Sequence, residues 1–201
     1  MKLFHAPGSC SLGIRMILEE AGLPYEVHRL DVRAGDQRRP EYLAVNPKGK
    51  VPALLRDDGR LLTEFPAIAF WLARQAPGAG LLPSGADGEA RALELLDFIV
   101  ASLHMRGTAL LMRPAAFATS PEAQDEVRAR GRETLGAGLA RLSDELGHGP
   151  FLMGERFSLP DAAAFYLLGW LPGLGIEADA PLADYHARLA ARPSAQVATA
   201  D

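Results

Sequence analysis

Strand-forming signals are confined to the first third of this 201-residue chain, and that asymmetry constrains the fold more than any other feature. Lys2 to His5 is a short strand candidate. A helix is predicted from Ser11 to Ala21, where Ile14, Ile17, Leu18 and Ala21 recur on one helical face. Gly22 sits at its stop and Pro24 lies just beyond. "YEVHRLDV" (25–32) is rich in β-formers, and "VPALLR" and "RLLT" flank Asp57-Asp58-Gly59, a hairpin signal. A second helix follows Glu64, with Pro66 suited to its first turn and Ile68, Trp71, Leu72 and Gln75 on one face. Past residue 88 only helical patterns remain, at 89–113, 121–146, 161–171 and 182–192, with Leu135, Leu139, Leu142 and Leu146 forming one stripe. Between them lies a stretch of Gly, Pro and Ala. The sequence therefore predicts an α/β domain over 1–76, a linker over 77–88 and an all-helical domain over 89–201.

Composition narrows the function classes. Apolar residues make up 48% and charged residues 23%, enough for a sizeable core and too apolar for disorder. A net charge of −4 and a pI of about 5.8 argue against nucleic acid as the main partner. A single cysteine rules out an intrachain disulfide scaffold and a four-cysteine metal site. His5, His28, His104, His148 and His186 share no metal-like spacing, so no metal is expected. The opening "MKLFHAPGSC" breaks its apolar run at His5, Pro7 and Gly8, unlike a secretory signal. No unbroken apolar stretch approaches about 18 residues, so no membrane span is expected. These readings predict a soluble, cytoplasmic protein.

Three short motifs carry chemistry. "APGSCSLG" (6–13) places Cys10, the one cysteine, where a strand ends and a helix begins. Unpaired first-turn N–H groups and the positive helix end favour a thiolate there, so a lowered pKa is expected. The alternative is a small buried hydrophobe. With no second cysteine nearby, a dithiol that cycles an internal disulfide is excluded. "NPKGKVPAL" (46–54) is turn chemistry followed by a proline at a strand start. A cis bond there would offer the Val51 backbone to an extended peptide, as in strand addition; an ordinary trans turn is the alternative. In "LTEFPAI" (62–68), Thr63 or Glu64 can cap the following helix. Glu64 can also hold a ligand ammonium, and the Phe65 N–H can meet a carboxylate. Ser158-x-x-Asp161 resembles a capping box and reads as structural. His104 is a lone helical histidine, a type more often structural than catalytic.

"PGSCSL", "NPKGKVPAL", "LTE-x-x-AI" and "SLPDAAAF", in this order and spacing, resemble the cytosolic glutathione transferases, most closely the bacterial beta class. The resemblance spans essentially the whole chain. It implies a thioredoxin-like domain, a helical domain, a homodimer, glutathione as co-substrate without a metal, and a cis bond before Pro52. Residue by residue, it puts Cys10 beside the glutathione sulfur and pairs the Val51 backbone with the cysteinyl part. Glu64 and Phe65 match the pair that receives the γ-glutamyl end. His104 matches a histidine that reaches the sulfur from the helical domain. Asp97 matches a polar position that meets the γ-glutamyl group across the dimer. Lys48 and Arg33 are the glycyl-carboxylate candidates, though the loop around Arg33 does not align cleanly. A small hydrophobic electrophile would sit near Met105, Met112 and Phe117, for which core packing is the alternative.

One departure stands out. Position 65, usually Gly or Ser, is Phe65, followed by Pro66, which has no N–H. That favours a rival reading, a non-catalytic ligand-binding or regulatory dimer with a decayed glutathione site. Glutathione-dependent thiol–disulfide exchange at Cys10, isomerisation and dehalogenation are further readings open to the same site.

Overall fold

The computed structural model of the protein describes residues 1–200. The first half runs β1 (Lys2–His5), α1 (Ser11–Ala21), β2 (Glu26–Arg29), α2 (Pro40–Leu43), β3 (Ala53–Leu55), β4 (Leu61–Thr63) and α3 (Phe65–Gln75). Its four strands lie in the order β2-β1-β3-β4, with β1 parallel to β2 and antiparallel to β3, and β3 antiparallel to β4. This is the thioredoxin-like arrangement the sequence predicts. Side chains alternate across the sheet as strand geometry demands. Leu3 and Leu54 enter the main core with Ile14 and Ile17 of α1 and Ile68 and Leu72 of α3. Phe4 and Ala53 point the other way, onto Leu30 and Tyr42. Gly22 ends α1 at φ 63° and returns its N–H to the carbonyls of Leu18 and Glu19, a conformation that glycine adopts at little cost. The β-rich stretch 25–32 contracts to the exposed edge strand Glu26–Arg29.

The second half is helical: α4 (Ala86–Asp97), a π-helical segment (Phe98–Thr108), α5 (Ala109–Met112), α6 (Pro121–Leu146), α7 (Leu159–Trp170), α8 (Ala180–Ala190) and α9 (Pro193–Thr199). Helix α4 starts inside the stretch read as linker. The helix predicted over 182–192 instead ends at Ala190. Arg192 turns extended ahead of Pro193, whose ring disfavours helical geometry in the residue before it. By length and composition alone, Ala86–Met112 is long and apolar enough to cross a membrane, yet Leu95, Leu96, Ile99 and Leu103 are buried in the protein core.

Helix α7 is the spine of this half. Every residue from Leu159 to Leu168 is buried, so an apolar surface all round is what its position requires. Its start is fixed by the capping box: the Asp161 carboxylate accepts from the Ser158 N–H at 2.7 Å, the Ser158 hydroxyl at 2.7 Å, the Leu152 N–H at 2.9 Å and the Tyr185 hydroxyl. The halves close on each other where α1 meets α7. A Cβ on Gly13 would lie 2.5 Å from the Ala162 carbonyl oxygen and 2.8 Å from the Phe65 ring, so only glycine fits. Arg192 adds a two-pronged ion pair with Glu20 at 2.7 and 2.8 Å, and the Trp170 indole N–H donates to the Gly8 carbonyl at 2.7 Å.

Candidate active site

The two serines beside Cys10 hold its loop in place. The buried Ser11 hydroxyl accepts from the Ala6 N–H at 3.1 Å, and it lies 2.8 Å from Nδ1 of His5 and 2.7 Å from the Ser9 hydroxyl. Ser9 in turn accepts from the Ser11 N–H at 3.2 Å, which pins the first turn of α1. Cys10 is thereby set at the N-cap of α1, where its Sγ donates to the Val51 carbonyl across 3.7 Å. The expected lowered pKa does not materialise. Burial around the sulfur, helped by nearby Glu64, pushes the thiol up to about 12; the backbone N–H groups of Cys10 and Ser11 and the charge of Arg113 only partly oppose this. At neutral pH Cys10 is a protonated thiol.

Val51 is presented by a tightly held turn. The Asn46 amide donates to the Lys50 carbonyl at 2.8 Å and accepts from the Lys48 N–H at 3.2 Å, while the Tyr42 hydroxyl donates to the same Lys50 carbonyl at 2.6 Å. The Val51–Pro52 bond is cis. Glu64 lies across from this turn. Among the described residues it alone is a non-glycine with positive φ, at 69°. Side chains pay of order 1–3 kcal/mol for such backbone, and it collects at ligand-binding positions. The capping role offered for Glu64 is absent, because its side chain makes no cap bond. It pairs instead with Lys48 at 2.6 Å, and Lys48 also donates to the Thr63 hydroxyl at 2.9 Å. Phe65 does not intrude on this surface. Its ring is buried in the domain interface, edge-on to Tyr166 at 5.4 Å and against Gly13. Its N–H stays in the first turn of α3, beyond reach of any intrahelical carbonyl.

The helical half supplies the opposite wall. His104 lies within the π-helical segment, where its carbonyl accepts from the Ala109 N–H, five residues on, and from the Thr108 hydroxyl at 2.7 Å. Such widened turns are frequent at functional sites. The His104 ring stands edge-on to Trp170 at 4.8 Å, with Nδ1 3.3 Å from the Tyr166 hydroxyl. Burial and then the charge of Arg113 lower its pKa to about 4, so the ring is neutral. Tyr166 is pushed well above its ordinary range, mainly by burial and then by the neighbouring Cys10. Cys10, His104, Tyr166 and Arg113 thus form one electrostatic group. Sequence reading missed Tyr166, Trp170 and Arg113. The four-residue spacing of Tyr166 and Trp170 on α7 was a usable signal, masked because an apolar helix reads as core.

The other candidates are spread more widely. Arg33 is exposed in the loop after β2, where its N–H donates to the Asp31 carboxylate at 2.9 Å. Asp97 is exposed at the end of α4. Met105, Met112 and Phe117 are 42%, 45% and 55% exposed, so the core-packing alternative fails for all three. Hollows of about 610 Å³ beside α7 and α8, about 400 Å³ beside Leu82 and Met153, and about 310 Å³ between Phe4, Arg39 and Tyr42 are not lined by Cys10. The candidate residues that come together are Cys10 and Val51 of the first half with His104, Tyr166 and Arg113 of the second.

Residues 8–75 match the family described as glutathione S-transferase, N-terminal domain, and residues 125–191 match its C-terminal domain. The chain belongs to the glutathione S-transferase family. It is 37% identical to "Glutathione S-transferase GstA" of Escherichia coli O157:H7 over 98% of this chain and 96% of that one. Among solved structures it is similar to a glutathione transferase homologue from Sulfitobacter with bound glutathione, with a TM-score of 0.90 and 32% identity, covering 98% of this chain and 95% of that one. It is also similar to the bacterial beta-class glutathione S-transferase of Sphingomonas chungbukensis, with a TM-score of 0.86 and 34% identity over 100% of this chain and 98% of that one. The glutathione S-transferase fold therefore extends over both halves.

Proposed function

We propose that this enzyme binds glutathione along the Val51 edge, lowers the pKa of its thiol and presents the thiolate to a hydrophobic electrophile. The observation that carries this reading is the Cys10 Sγ set 3.7 Å from the Val51 carbonyl, at the turn closed by the cis Val51–Pro52 bond, with burial favouring the neutral thiol. A neutral S–H is a donor, and an extended peptide pairing with Val51 brings its own sulfur next to that donor. Cys10 then exchanges the weak bond to Val51 for a charge-assisted bond to the glutathione sulfur. Two adjacent thiolates would repel, so the neutral state of Cys10 leaves the charge to the substrate.

The magnitudes are adequate. A free thiol with a pKa near 8.5 is only about 3% thiolate at pH 7, and lowering the pKa by about two units raises this to roughly 75%, for about 2.7 kcal/mol. One hydrogen bond to a charged acceptor contributes about 1.5–3 kcal/mol. His104 as a second neutral donor and Arg113 as a nearby positive charge add to it. Glu64 receives the ammonium and the Phe65 N–H the carboxylate of the γ-glutamyl end, with Lys48 and Arg33 toward the glycyl carboxylate. Glutathione competes for the existing Lys48–Glu64 pair. Met105, Met112 and Phe117 offer exposed apolar surface to the electrophile. The active form is a homodimer in which Asp97 reaches the partner's γ-glutamyl site. A lone unpaired thiol fits a reducing, cytoplasmic setting.

The rival readings are less well supported. A decayed site was favoured by Phe65, but its ring lies in the domain interface rather than across the cleft. Disulfide exchange favours an attacking thiol with a pKa near ambient pH, and burial holds Cys10 far above that. The test is conjugation of glutathione to a chloronitrobenzene, with calorimetric titration of glutathione alone. Binding with turnover supports the reading. Binding without turnover refutes conjugation of this electrophile class, and no glutathione binding refutes the reading and returns the decayed-site alternative.

A further inference from the structure

We propose that Tyr166 is a positioning residue for His104: its hydroxyl donates to Nδ1 and holds the ring in the tautomer whose Nε2–H is free to donate toward the glutathione sulfur. This rests on the reading that His104 serves that sulfur. The argument begins with burial. Tyr166 is 2% exposed, and the structure gives its hydroxyl one hydrogen-bond partner, Nδ1 of His104 at 3.3 Å. His104 is neutral, so one ring nitrogen carries the proton and the other accepts. Were Nδ1 the protonated nitrogen, it would donate to the phenol oxygen and leave a buried O–H with no acceptor, the costlier arrangement. With the phenol as donor, every buried proton has a partner and the Nε2–H is left over.

The packing keeps this geometry. The Tyr166 ring is held between Phe65 at 5.4 Å and Trp170 at 4.9 Å, so the hydroxyl has little room to swing away from His104. Phe65, the departure from a small residue, thus acquires a use: it braces the tyrosine that orients the histidine. Tyr166 also lies close enough to Cys10 for the two to interact electrostatically, which puts the tyrosine on the sulfur side of the cleft.

Tyr166→Phe removes one oxygen and keeps the ring. In the wild-type protein, the nitrogen chemical shifts of the His104 imidazole should report a single tautomer protonated at Nε2. In Tyr166→Phe they should report a mixture, with the melting temperature nearly unchanged. At saturating glutathione the variant should lose roughly fivefold in kcat with little change in KM for glutathione. In a His104→Ala background the same substitution should have no further effect on kcat. A wild-type His104 protonated at Nδ1, an unchanged tautomer in Tyr166→Phe, or an equal loss of kcat with and without His104 would each overturn the proposal. If the wild-type enzyme showed no turnover, the proposed function would fall, while the nitrogen shifts would still decide the role of Tyr166.

Discussion

Replacing Cys10 by alanine and by serine separates a hydrogen-bond donor from a nucleophile. Burial pushes the thiol up to about 12, so on the proposed mechanism its contribution to glutathione is an S–H bond to a developing thiolate. A bond to a charged acceptor contributes about 1.5–3 kcal/mol, and one pKa unit corresponds to about 1.36 kcal/mol. Cys10→Ala should therefore raise the pKa of bound glutathione by about one to two units. If the wild-type complex titrates near 6.5, the variant titrates at about 7.5–8.5. Its thiolate fraction at pH 7 then falls from roughly 75% to between about 25% and 3%, a loss of about 3- to 25-fold in rate. The sign is fixed by the charge type. The thiolate is the reactive form and is populated above the pKa, so the rising limb of the rate profile moves to higher pH and the loss disappears in alkaline buffer. Cys10→Ser retains an O–H and should keep the wild-type profile to within about half a unit. The assay is kcat for conjugation between about pH 6 and 9, with the alkylation rate of Cys10 measured in parallel without glutathione. Rapid alkylation of Cys10 at pH 7, with serine and alanine variants equally inactive, would refute the reasoning and make Cys10 the nucleophile.

Arg113 lowers the pKa of both Cys10 and His104, so Arg113→Gln should move the His104 titration upward from about 4 and carry the rate profile to higher pH; histidine proton shifts followed against pH check the first effect, and an unmoved titration would contradict it. Gly13→Ala forces a methyl to within 2.5 Å of the Ala162 carbonyl oxygen. It should cost about 1–3 kcal/mol in denaturant unfolding and weaken glutathione binding as the halves separate.

Much of the site was legible because turn chemistry is local. Ser9, Cys10 and Ser11 had to sit at a strand-to-helix junction, and Asn46 to Gly49 had to turn, whatever packed against them. Ser158 and Asp161 announced the start of α7 for the same reason. What the sequence hid depends on partners remote in the chain. The helix end at Cys10 argued for a thiolate, but its ionisation is set by what encloses the sulfur, and Tyr166 and Arg113 come from the other domain. Phe65 read as damage to a binding site because nothing local says that its ring turns toward Gly13 and α7. The π-helical turn around His104 is equally silent, since a change from four- to five-residue bonding leaves an apolar helical pattern intact. Pro193 was the missed local signal: its effect on Arg192 was readable in advance, and it divides α8 from α9.

On the proposed mechanism the reactive thiolate belongs to glutathione and Cys10 remains a thiol. Ultraviolet thiolate absorbance of the protein, titrated with glutathione at fixed neutral pH, measures this directly. The protein alone should show no thiolate signal at neutral pH, and saturation with glutathione should bring up roughly three-quarters of a thiolate per chain at pH 7, with that signal reduced in Cys10→Ala and largely kept in Cys10→Ser. A thiolate signal present before glutathione is added and lost in both variants would contradict the account.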